Sequence, residues 1–253
     1  MEHTAYVSAP PTLLGSGFAV TTGPVAGNGD LAVVTADLPD GVRLHIAKAD
    51  LWKALEDDED GGIKTLGTLD LPLPGLDPGT YHAEQRMDEG ELHYRLAWSK
   101  GTAQIRVLVC ATANILLVET TAPGPPVFAL AQGDGSRTSC RTEDGMTVAH
   151  RVFDAPELVW PTDAAAVYRR LPAPEGTRRY AVAVATNHEG PDCEAAAMTL
   201  ATAADWDALC AAHRAWWQAF WARSGVQLDD AAVEQCWYAG QYLIACCSRN
   251  PRF

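Results

Sequence analysis

The sequence predicts a mainly β chain, an antiparallel supersandwich with two C-terminal α-helices. Three observations carry this. Roughly a dozen short segments between about residues 16 and 201 alternate apolar and polar residues at period two. Gly- and Pro-containing turns separate them, and no 3.6-residue periodicity runs through them. Near residue 203 the period changes, and apolar residues recur every three or four positions.

The segments follow in order. "GFAVTT", "LAVVTA" and "VRLHIAK" open the series, and "GSG" at 15–17 reads as a turn. "ELHYRLAW" and "AQIRVLVC" form a hairpin pattern around "SKGT", with Ile105, Val107 and Val109 on one face. "NILLVETTA", "PVFALAQ", "TVAHRVF", "AAVYRRL" and "RYAVAVAT" continue it. Many short strands of this kind fit a large sandwich, and the lack of an internal repeat weighs against a propeller. "EDDEDGG" (56–62) reads as a solvated hairpin tip without the residue order of a calcium loop, and 133–145 as a second turn-rich excursion.

Asp205 then caps a helix whose apolar positions are Trp206, Leu209, Cys210, His213, Trp217, Phe220 and Trp221. His213 on this face reads as a packing histidine. Gly225 breaks the helix, and a second opens near Asp229 or Asp230, apolar on most of its circumference. The expected organisation is a supersandwich over 1–202, a linker helix over 203–225, and a further helix over 226–253. Two such helices cannot bury themselves. At about 25 cal/mol per Å2 and about 150–250 Å2 per aromatic ring, each exposed Trp forgoes several kcal/mol. Trp216, Trp217, Phe220, Trp221, Trp237 and Tyr242 are therefore expected at an interface: with the sandwich, with a second chain, or with further sequence.

The totals exclude several classes. The chain has 253 residues and a net charge of -13, which opposes phosphate-backbone binding and docking on anionic membranes. No basic leader with an apolar run opens it, and no apolar stretch reads as a membrane span; the expected setting is cytoplasmic. Seven cysteines without a CxxC pair are expected as buried, reduced thiols. Dispersed histidines without HxH or HExxH predict no metal, and the lack of GxGxxG and P-loop patterns predicts no nucleotide cofactor. No GxSxG elbow is present.

"GPVAGNGDLAVV" followed by "VRLHIAKADLWKA" resembles the opening of the α-L-fucosidase-type glycoside hydrolases (family 95), which carry a Gly-Asn-Gly loop between strands and then a hairpin ending in Asp–Trp or Thr–Trp. "LGTLDLPLPG" and "YHAEQRMDEGELHYRLAW" resemble the next section, with Arg86-Met87-Asp88 departing from the usual Leu-Asp-Leu-like strand. "AHRAWWQAFWARSGVQLDDAAVEQCWYAGQYLIACCSR" is similar to the linker helix and first barrel helix of the same group. The group shares with the family 65 maltose phosphorylases a β-supersandwich, a helical linker and a catalytic (α/α)6 barrel. The resemblance implies a chain that stops one helix into the barrel and lacks the barrel's catalytic carboxylates, so no catalytic residue is expected here. The implied role is a non-catalytic N-terminal module that buttresses the barrel and shapes one side of the sugar cleft. The carbohydrate would be met through the missing barrel, and the exposed aromatic helices could self-associate.

Within the module, Gly27, Asn28, Gly29 and Asp30 are expected as a structural turn, with Asp30 capping it. Asp30, Asp50 and Asp88 are the best-placed local acids. Asp50 and Trp52 in "KADLWK" could help shape a sugar site, the indole stacking on a ring and the carboxylate accepting from hydroxyls. The plainer role for Trp52 is an interface anchor. A stand-alone carbohydrate-binding sandwich would need coplanar exposed aromatics. A mutarotase-like sugar enzyme would need a histidine and a carboxylate on one concave sheet, with His93 and His150 the histidines in strand-like segments.

Overall fold

The computed structural model describes residues 3–14, 20–56, 61–76 and 81–248. The "GSG" turn, the middle of the 56–62 run and the last five residues of the chain lie outside the described residues. The strands are β1 (Thr4–Val7), β2 (Leu13–Leu14), β3 (Val20–Thr21), β4 (Val25–Gly27), β5 (Leu31–Leu38), β6 (Gly41–Lys53), β7 (Gly62–Pro72) and β8 (Tyr81–Arg86). They continue as β9 (Glu91–Trp98), β10 (Gly101–Val109), β11 (Ile115–Thr120), β12 (Val127–Leu130), β13 (Arg137–Glu143), β14 (Met146–Phe153), β15 (Thr162–Leu171) and β16 (Arg178–Thr186). The helices are α1 (Cys193–Ala203), α2 (Trp206–Trp221) and α3 (Ala231–Cys247).

Among the described residues, a nine-stranded sheet runs β1-β8-β9-β10-β11-β16-β15-β14-β13, and a five-stranded sheet runs β12-β7-β6-β5-β4. Neighbouring strands pair antiparallel. The period-two pattern sets which side chains meet. Val42, Leu44 and Ile46 of the small sheet face Ile105, Val107, Val109, Leu116 and Val182 of the large one, and this double layer is the main core.

The opposite face of the large sheet changes character along its width. Over β15 and β16 it presents Ala165, Ala181, Ala183 and Ala185, and α1 lies there with Ala197 and Ala201 buried. Small residues on both surfaces let helix and sheet approach closely. This third helix corrects the expected two: 193–203 was expected to belong to the β region. Asp192 accepts from Ala195 N at 2.9 Å and starts it. The 133–145 excursion is also corrected, since part of it is β13, an edge strand with every residue exposed.

Beside α1, the large sheet packs against the start of α2 through Trp206 and Cys210. Farther along α2, Trp217 is fully buried and Trp216, Phe220 and Trp221 are half-buried around it. Trp221 Nε1 donates to Met87 O at 3.0 Å. His213 uses both ring nitrogens: Nδ1 accepts from Ala111 N (3.2 Å) and Nε2 donates to Glu89 O (2.8 Å). That pairing requires the neutral tautomer with its proton on Nε2. The aromatic helix thus presses on the turns after β8 and β10.

Candidate functional site

The stripe Val42, Leu44, Ile46 continues in phase to Lys48 and Asp50, so two charged residues enter the same buried row. The Lys48 side chain is fully buried. Its Nζ meets Asp30 Oδ1 at 2.6 Å, both oxygens of Asp50 at 2.9 Å and Glu189 Oε1 at 2.8 Å. Burial alone would lower the ammonium's pKa, but the three carboxylates outweigh it and raise the pKa. Thr186 Oγ1 donates to Asp50 Oδ2 (2.9 Å), Asn114 Nδ2 donates to Asp30 Oδ2 (2.7 Å), and Thr186 N donates to Glu189 Oε2 (2.6 Å). The knot ties β6 of the small sheet to the β10–β11 turn and the end of β16.

This corrects the role expected of Asp30. The turn is capped by Asn28, whose Oδ1 accepts from Asp30 N (3.0 Å) and Leu31 N (2.8 Å). Asn28 Nδ2 donates to Cys110 O and Ala113 O, each at 3.0 Å. The flanking glycines have separate reasons. Gly29 sits at φ 83° and its N donates to Cys246 O at 2.8 Å. A Cβ on Gly27 would collide with that same Cys246 carbonyl, so the α3 terminus needs glycine there.

Asp50 is 2% exposed, with both oxygens committed to the knot. Trp52 stays half-exposed, paired in register with exposed Ile63, and its Nε1 donates to Ala49 O at 2.9 Å. Asp88 lies in the turn after β8, half-buried. Tyr242 is fully buried and donates to Val25 O at 2.8 Å, while Trp237 is half-exposed. Cys110, Cys193, Cys210 and Cys246 are buried thiols as expected, but Cys140, Cys236 and Cys247 are exposed.

His93 enters an ion-pair lattice on the outer face of β8–β11. A cleft of about 320 Å3 opens there, lined by Arg86, His93, Arg95, Gln104, Arg106 and Glu119 among others. His93 Nε2 lies 2.7 Å from Glu91 Oε2, and Arg106 grips both Glu91 oxygens. Glu84 is held likewise by Arg86 (2.8 Å) and Arg95. Arg106 and Arg179 lie over the Trp206 ring at 5.8 and 4.6 Å. Burial of Glu91 would raise its pKa, but His93 and Arg106 outweigh this and bring it down to about 2. Such a carboxylate is a poor general base at neutral pH.

The same depression has a stability consequence. With its unfolded pKa near 4.5 and its folded pKa at about 2, Glu91 stabilises the fold above the former and loses that effect as pH falls toward the latter. The contribution is about 3 kcal/mol. Urea midpoints measured across that acid window should fall steeply for the native chain and much less for Glu91→Gln. Equal slopes would count against the lattice as an acid-sensitive support.

His150 is not in this lattice. It lies on β14 against Asp163 and Cys193, contributed by two other elements. Motif spacing gives no sign of this cluster.

No family model matches the sequence, and no curated protein matches it. Among solved structures the chain is similar to one titled "Putative kojibiose phosphorylase from human microbiome", with a TM-score of 0.59 and 8% identity, over 87% of this chain. At that identity the likeness shows the fold alone, a sandwich with C-terminal helices. The chain spans 36% of that structure's length. Among the described residues no helix is long and apolar enough to cross a membrane.

Proposed function

We propose that this chain is a non-catalytic N-terminal module of a carbohydrate-active enzyme, one that buttresses a helical catalytic domain and closes one side of its sugar cleft. The observation that carries the reading is the outer face of α3. Val233 (53%), Leu243 (46%) and Ile244 (59%) are exposed there, beside half-exposed Trp237. An adjoining apolar groove of about 290 Å3 runs along the outer side of the small sheet, lined by Val25, Ala32, Val34, Ala47 and Cys247 among others. An apolar surface of this kind suits packing against further helices. The fold likeness to about a third of a kojibiose phosphorylase-titled chain supports a setting among glycoside hydrolases and phosphorylases. The sequence resemblance narrows this to the α-L-fucosidase type. In this reading Asp50 acts by holding its hairpin from inside, and Trp52 is the residue free to face a sugar. In isolation the same α3 face pairs one chain with another.

The stand-alone alternatives have less support. The ion-paired cleft has no exposed aromatic in its lining among the described residues, and the Glu91 carboxylate is committed to Arg106 and His93. Three assays on the chain decide. Polarimetry and aryl-glycoside turnover should show no rate above blank. Turnover that disappears in His93→Ala would overturn the non-catalytic reading. Sedimentation should show concentration-dependent association that Ile244→Asp abolishes, with stability changed by less than about 0.5 kcal/mol. Unchanged association in that variant would remove the role given to α3's outer face.

A further inference from the structure

Among the described residues, three clusters place acidic or metal-ligating side chains together. Two already hold a cation. Lys48 fills the centre of Asp30, Asp50 and Glu189. The Arg106 guanidinium takes both oxygens of Glu91 beside Glu89 and His93. The third is His150, Asp163 and Cys193, whose donor atoms all lie within 4.8 Å of one another. No lysine or arginine ion-pairs with Asp163 among the described residues, and its only such contact is His150.

Three elements build this cluster. His150 on β14 pairs in register with Ala165, two residues along β15 from Asp163, so both side chains stand on the face that α1 covers. Asp192 caps α1 and fixes Cys193 as its first residue, pointing down at the same spot. Cys193 Sγ lies 3.7 Å from His150 Nε2, the nitrogen that also touches Asp163 Oδ1. That carboxylate oxygen is buried without a hydrogen bond of ordinary geometry.

We propose that His150 Nε2, Asp163 and Cys193 Sγ form a binding site for a zinc-class divalent cation that pins the start of α1 to β14 and β15. One imidazole, one carboxylate and one thiolate suit a borderline-soft metal. A tetrahedral ion with ordinary Zn–S and Zn–N bonds holds sulfur and nitrogen roughly 3.6 Å apart, close to the 3.7 Å found, while Asp163 Oδ1, now in direct contact with Nε2, turns aside to admit it. Binding displaces the Cys193 proton to solvent and leaves the imidazole proton on Nδ1. His150 and Asp163 keep about a third of their side-chain surface exposed (29% and 33%), which gives the ion an entry path and a fourth position for water.

The test titrates the whole chain with Zn2+ by equilibrium dialysis, and with Co2+ followed by absorbance. The expected result is one tight ion per chain and a thiolate-to-cobalt charge-transfer band. Cys193→Ser should abolish the band and weaken zinc binding at least about tenfold. His150→Gln, at a partly exposed position, should weaken zinc binding similarly, so either variant that folds decides. Replacing Cys140, Cys236 and Cys247 together by serine should change neither readout. No stoichiometric binding, or a band that survives Cys193→Ser and vanishes with the exposed thiols, would overturn the site.

Discussion

Replacement of Lys48 by methionine is expected to destabilise the fold by about 3–5 kcal/mol, the cost of leaving buried charge without its partner. Methionine nearly matches the volume, so the loss is not a cavity effect. What remains is Asp30, Asp50 and Glu189 facing one another without the ammonium they share. Asn114 and Thr186 still donate to them but carry no charge. Repulsion raises the carboxylates' affinity for protons. The penalty should therefore shrink as pH falls through the carboxylate range, because protonation relieves the variant. Urea midpoints for both chains at neutral and mildly acidic pH read this directly. Arg43→Met is the control: the Arg43–Asp70 pair is bidentate at 2.8 and 2.7 Å but partly exposed (34% and 21%), and such pairs contribute about 0–1 kcal/mol. Equal costs for the two variants would show that the buried knot is no more than a surface pair.

That knot also marks what the sequence makes legible. The alternation Val42, Leu44, Ile46 names the buried row, and counting on by two reaches Lys48 and Asp50. The register alone thus places a cation and an anion in the core, and their partners are what it leaves out. Asp30, Asn114 and Glu189 arrive from turns, and no local pattern fixes where turns meet. The inner faces of the sandwich are readable because large apolar residues alternate with polar ones. Over α1 the same reading fails. "CEAAAMTLATA" buries alanines against an alanine-rich strand pair, so neither surface has the apolar contrast that periodicity detects. The legible signals were the Asp192 cap and the high helix propensity of alanine. The cluster of His150, Asp163 and Cys193 is further out of reach, since it depends on where α1 lands on the sheet.

Trp217→Ala is expected to cost about 3–5 kcal/mol and to loosen the helices before the sandwich. Helical spacing alone places Trp217 with Phe220 and Trp221 on one broad face, and the structure separates them. Trp217 is fully buried, stacked on Tyr242 (5.3 Å between centroids) and Trp221 (6.1 Å), and edge-on to Phe220 (5.5 Å). Its indole lies directly against Gly90, at φ 69°, where any Cβ would collide with it. Truncation removes the fully buried ring that packs at once against the β8–β9 turn, its α2 neighbours and Tyr242 of α3. Trp217 sits at the centre of the cluster by which α2 and α3 meet the sandwich, so limited proteolysis should cut the 222–230 connection early in the variant while the sandwich stays intact. Trp237→Ala removes a half-exposed ring and should cost clearly less. A larger loss at Trp237 than at Trp217 would mean that α3, not α2, anchors the helices. The contrast with Ile244→Asp separates two uses of aromatic and apolar surface in adjacent helices: Trp217 completes this chain's own fold, whereas Ile244 offers surface the chain's stability does not use.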